Sequence, residues 1–312
     1  MPISRFPAGF RALPPVIEAA LLMGFGAVCV AVQNGIIRVV SADIHTFEVV
    51  FFRNLFGLLA MLPLLGGVGL GMFRAKSPGR LMLMSTWHLL GMVCYFLALV
   101  YLPIAEVTAL AFSKPLFATV GAALILHEIV RARRWSAVAL GFIGVLIVLQ
   151  PGAQTISPYA ALVLLGALLG AATSLMIKQL TATEGVATIV WYQALFATVL
   201  ALPLCLLQWR TPDLAGWLLL LAIGALGTLS WLAMTRAFFL VDASAVVPFE
   251  FLRLPFAALV AYLWFAEVPS VWTWIGGTVI FGAAVYIAER EARLARNRAA
   301  ARPSGAGPLG AP

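Results

Sequence analysis

Apolar runs of about 20 residues recur ten times along this chain, near 16–40, 46–65, 80–102, 104–126, 134–150, 157–178, 186–208, 215–240, 244–266 and 271–289. Each run is long enough to cross a hydrocarbon core of about 30 Å, where the backbone must close its own hydrogen bonds. The pattern predicts an all-α membrane protein of ten transmembrane helices. Composition agrees: 63% of the 312 residues are hydrophobic and only 10% are charged, with a mean hydropathy of +1.03. The short connections leave no room for an extramembrane catalytic or nucleotide-binding domain.

The formal charge of +8 follows topology rather than nucleic acid. Arg5 and Arg11 precede span 1, Arg74, Lys76 and Arg80 lie between spans 2 and 3, and Arg131, Arg133 and Arg134 lie between spans 4 and 5. Lys178 follows span 6, and Arg290, Arg293, Arg296, Arg298 and Arg302 follow span 10. All fall on one side of an alternating ten-span chain, while the other side holds little beyond Arg38 and Arg210. The positive-inside rule then places both termini in the cytoplasm. Residues 1–15 form a short N-terminus before an uncleaved first helix, and 290–312 a basic, then disordered, cytoplasmic tail.

Motifs for other chemistries fail. Cys29, Cys94 and Cys205 sit in apolar runs without CxxC spacing. His45, His88 and His127 are scattered and form no metal constellation, so no metal or other cofactor is expected. There is no GxxxxGK[ST], HEIVR has Arg131 where a second zinc histidine would stand, and GVGLGM at Gly67 has no strand before it.

The chain aligns with itself at an offset of about 140. FFRNLFGLLAMLPL from Phe51 matches WYQALFATVLALPL from Trp191, which places Phe56 on Phe196, Pro63 on Pro203 and Arg53 on Gln193. One residue less in offset places Lys114 on Arg253, Glu128 on Glu267, Trp135 on Trp274, Gly91 on Ser230 and Ala98 on Ala237. Five spans per unit force the second copy to enter the membrane from the other face. Residues 16–152 and 153–289 therefore read as inverted repeats joined by PGAQTISP.

Together with the membrane-embedded Arg of FFRNLFG, the runs YLPIAEVTALAFSKPLFATVGAALILHE, RRWSAVALGFIGVLIVLQPG and WFAEVPSVWTWIGGTVIFGAAVYI resemble the EamA branch of the drug/metabolite transporter (DMT) superfamily. The resemblance covers about residues 16–289, and the overall pattern is similar to that of an S-adenosylmethionine uptake branch. It implies a ten-helix carrier of the bacterial inner membrane, with a central cavity and alternating access without ATP. Import, export, proton or exchange coupling, and a monomeric or homodimeric state all stay open.

Ionisable groups inside a membrane cost roughly 2.5–3.5 kcal/mol on insertion scales, and they usually face a cavity or a partner. The substrate-binding candidates are Lys114 in span 4, its repeat mate Arg253 in span 9, Glu250 one turn before Arg253, and Arg53 in span 2. Tyr95 and Trp231 add aromatic faces, and Gln33, Asn34 and Gln193 are further polar candidates. Pro115 and Pro255, each beside one of the deep cations, are predicted hinges, with Pro248 a further weak point.

The reading that follows is a secondary transporter for a small zwitterionic or anionic metabolite. An intramembrane enzyme acting on lipid would need a clustered acid, base or nucleophile set, and a channel would need rings of pore-lining groups. Repeats and kinked helices favour the carrier.

Overall fold

No water reaches the hydrocarbon core to satisfy N–H and C=O groups, so each apolar run closes its own backbone bonds as a helix. The computed structural model describes residues 15–61, 73–125, 132–150, 157–180, 183–240, 249 and 252–300, and no strand occurs among them. The helices are α1 (Pro15–Val40), α2 (Thr46–Met61), α3 (Pro78–Tyr101), α4 (Ile104–Ala111), α5 (Lys114–Ile125), α6 (Ala132–Leu149), α7 (Pro158–Leu180), α8 (Val186–Leu207), α9 (Leu214–Leu240), α10 (Arg253–Phe265) and α11 (Val271–Ala300). They follow the ten predicted spans in order, with α4 and α5 sharing span 4.

By length and composition, six stretches among the described residues suffice to cross a membrane: Ile17–Val40, Pro78–Tyr101, Ile104–Gly121, Pro158–Ile177, Thr188–Leu207 and Leu214–Met234. Leu21, Phe25, Ile143, Leu146, Leu218 and Leu263 are exposed on the outer surface, as lipid-facing side chains must be. The last helix departs from expectation. It runs on to Ala300, because the segment EREARLARNRAA, apart from Asn297, is built from Ala, Glu, Arg and Leu, all strong helix formers; the tail beyond 300 lies outside the described residues.

Span 4 also differs from a simple kink. α4 closes with tight turns, Phe112 N–H donating to Ala109 O at 3.2 Å and Ser113 N–H to Leu110 O at 3.0 Å. Ser113 O then accepts from Leu116 N at 2.9 Å and Phe117 N at 3.2 Å, starting α5. Pro115 is thus the second residue of a new helix, where its missing N–H leaves no bond unmade. In span 9, α10 opens at Arg253 with Pro255 in its first turn. Pro248 and Glu250 lie outside the described residues.

Packing reflects the repeat. α1 lies on α9 as α3 lies on α7; α2 lies on α9 as α8 lies on α3; α1 lies on α10 as α7 lies on α5. Three further neighbours, α2 with α8, α4 with α10 and α6 with α11, pair a span with its own mate. Exchanging the halves maps this set onto itself, the arrangement an in-plane pseudo-two-fold axis produces.

The crossings are held at matching positions. A Cβ on Gly91 would come within 3.2 Å of Gly166 O, and one on Gly166 within 3.0 Å of Gly91 O, so α3 and α7 approach as only glycines allow. At the mate crossing, Ser230 Oγ donates to Gly26 O at 3.1 Å.

Acidic side chains tie the halves at both ends. Glu48 of α2 accepts from Arg210 N–H, and Glu184 Oε1, just before α8, accepts from Ser77 N–H at 2.6 Å.

Candidate functional site

A cavity of about 150 Å³ opens between α2, α3, α8 and α9, two pairs of repeat mates, and so lies on the pseudo-axis. α2 contributes Arg53, Asn54 and Gly57; α3 contributes His88; α8 contributes Val190, Gln193 and Ala194. Gly224, Gly227, Thr228, Trp231 and Leu232 of α9 complete the wall. Arg53 and Gln193, aligned by the sequence repeat, thus face one space from opposite repeats.

Several of these groups are held in place. Asn54 Nδ2 donates to Val50 O at 2.8 Å, and Thr228 Oγ1 to Gly224 O at 2.9 Å. Gln33 of α1 donates from Nε2 to Ile223 O at 2.9 Å. A Cβ on Gly227 would stand 2.9 Å from Gln33 Nε2 and 3.5 Å from Arg53 Nη2, so the bare glycine makes room for both side chains.

The other sequence candidates divide. The Lys114 side chain runs along Gly170 of α7, where a Cβ would meet its Cδ and Cε at 3.4 Å. His88 lines the cavity with Arg53, whereas Lys114 is not among its lining residues. Tyr95 and Arg253 have other partners: Asn34 Nδ2 donates to Tyr95 Oη at 3.0 Å, and Arg253 Nη2 approaches Met234 Sδ at 3.5 Å. Neither Tyr95 nor Arg253 lines the cavity. Glu250 lies outside the described residues.

Sequence reasoning passed over His88 by asking only whether the histidines form a metal site. Its signal was available all the same. A titratable residue ten positions into α3 sits about 15 Å deep, and the rule that picked out Lys114 applies to it equally.

The chemistry offered is a set of donors with an aromatic face: a guanidinium, an imidazole, a carboxamide and an indole. Among the described residues no Asp or Glu lines the cavity, and no group of three His, Cys, Asp or Glu side chains is arranged to hold a metal ion. Such walls suit a ligand carrying an acceptor or anionic group beside a planar or apolar part.

Comparison with known proteins agrees with this architecture. The model of the EamA-like transporter family matches twice, over residues 17–150 and 157–288. The chain is 30% identical over 250 residues to an S-adenosylmethionine uptake transporter of Rickettsia bellii, covering 80% of this chain and 86% of the relative. It is 31% identical over 285 residues to a riboflavin transporter of Vibrio cholerae, covering 90% and 96%. Identity to a pseudopaline exporter of Pseudomonas aeruginosa is 32% over 271 residues, covering 86% and 95%. One solved crystal structure superposes with a TM-score of 0.59 at 18% identity, over 88% of this chain and 98% of the other, a likeness of fold.

Proposed function

The chain belongs to the EamA-like transporter family, and from that premise we propose that it is a secondary carrier moving a small organic metabolite with an acidic group across the bacterial inner membrane by alternating access. The observation that carries this reading is the axial cavity. Arg53 and His88 line it, and among the described residues no Asp or Glu stands in its wall; Lys114, whose stem lies on Gly170 of α7, is a second cation inside the membrane. A guanidinium facing such a wall is complemented by an anionic ligand group. Trp231 and the apolar residues of α8 and α9 would take the rest of the ligand. The break in span 4 and the prolines at the starts of α5 and α10 supply the pivots. Tyr95 and Arg253, outside the cavity wall, are suited to ordering α1, α3 and α10 or to meeting a larger ligand.

The names of the relatives provide a discriminating pair of probes. S-adenosylmethionine carries an amino-acid carboxylate, whereas riboflavin is uncharged at neutral pH. Purified protein is expected to be stabilised thermally by S-adenosylmethionine and not by riboflavin, and proteoliposomes loaded with the former should show saturable counterflow. Lys114→Gln should weaken binding by roughly ten- to a hundredfold, the range for a charge-assisted hydrogen bond, and Lys114→Arg should retain part of it. Stabilisation by riboflavin alone, or tight binding by Lys114→Gln, would sink the electrostatic reading while leaving a carrier in place. Absence of counterflow with any probe that binds would remove the carrier itself.

A further inference from the structure

At the end of the bundle where α1 and α10 finish, Arg38 and Glu267 form a salt bridge between the two repeats. The contact is more than a pair. Arg38 lies over the Phe265 ring, its Cζ 4.9 Å from the centroid, and Nη1 donates to Leu102 O at 3.5 Å. The other carboxylate oxygen, Glu267 Oε2, accepts from Ile104 N–H at 3.4 Å, at the first residue of α4. Glu267 thus joins the ends of α1, α4 and α10 at one point.

Its position is built, not incidental. Ala266 takes a left-handed backbone, φ 54°, uncommon for a residue with a Cβ. Glu267 N–H then donates back to Ala261 O at 3.1 Å, folding the chain end toward α1. Beside it α1 and α10 pack closely, for a Cβ on Gly35 would meet the Trp264 ring at 2.7 Å and Val260 Cγ1 at 2.8 Å.

α4 and α10 pack on each other, and both are short: α4 ends before the Ser113–Pro115 break, and α10 opens at Arg253 with Pro255 in its first turn. Two short helices with a proline beside their inner ends, held together at their other ends, have the parts of a gate. Arg80, at the start of α3, lies at the opposite end. If the basic clusters mark the cytoplasmic face, the bridge is periplasmic.

We propose that Arg38 and Glu267 are the latch of the outer gate, which must part for the repeats to open toward the periplasm. This rests on the alternating-access reading above. Spin labels at Val39→Cys and Val268→Cys, both exposed, would be placed in a cysteine-free background, and their separation measured by pulsed electron resonance in nanodiscs without substrate. Glu267→Gln should raise the ratio of a longer-distance population to the closed one by roughly three- to tenfold. Arg38→Lys, which keeps the charge but loses the planar stack on Phe265, should do so less, and Arg38→Glu with Glu267→Arg should return toward the parent. A lowered melting temperature with one unchanged distance in Glu267→Gln and Arg38→Lys would make the bridge a static staple and overturn the proposal. Neither result depends on identifying a substrate, so failure here is separable from failure of the counterflow test.

Discussion

Arg53 and Gln193 show how much one residue pair carries. The repeat aligns them, and the fold turns them into opposite walls of one cavity. If that cavity binds an anionic group, Arg53→Gln should weaken binding by roughly ten- to a hundredfold. Adding Gln193→Arg, which restores a guanidinium from across the pseudo-axis, should recover part of the loss. Titration of purified single and double variants with S-adenosylmethionine checks this; a double variant as weak as the single would show that the cavity is not equivalent from its two sides. Lys114, Arg253 and Trp231 were legible in the sequence because charge and aromatic surface stand out in an apolar run. Which of them line the cavity was not, because it depends on which helix lies beside which.

Among the elements, close helix approach is set by glycines whose neighbours are backbone. A Cβ on Gly144 of α6 would come within 2.9 Å of both Gly276 O and Ile280 N of α11, atoms that cannot rotate away. Gly144→Ala should therefore destabilise by roughly 1–3 kcal/mol and lower the melting temperature by several degrees. Gly282→Ala, further along α11, meets nothing within 4 Å and should be neutral or slightly stabilising, since Ala is the better helix former. Equal effects in a thermal scan of the two variants would mean that the α6–α11 crossing is looser than described. Prolines taught a similar lesson. The sequence predicts a kink at Pro115, yet it lies in the first turn of a helix that starts anew after Ser113, because a break satisfies the residues around proline better than a bent helix does; Pro255 lies in the first turn of α10.

For the whole molecule, the distribution of Lys and Arg carries an orientation. Reporter fusions within 151–158 should report the periplasm and fusions after Arg298 the cytoplasm; a cytoplasmic signal at the link between the repeats would break the five-plus-five scheme. What the sequence determined alone was the medium, the number and order of the helices, the repeat and the family, because these follow from local hydrophobicity and spacing, which need no partner. What only tertiary structure decided was which spans neighbour which, that His88 joins Arg53 at one cavity while Tyr95 and Arg253 stand apart, and that Arg38 meets Glu267. In a bilayer every span is apolar on all sides, so hydrophobic periodicity does not choose neighbours; close contacts between small residues and a few polar bonds do, and those exist only once the helices have packed.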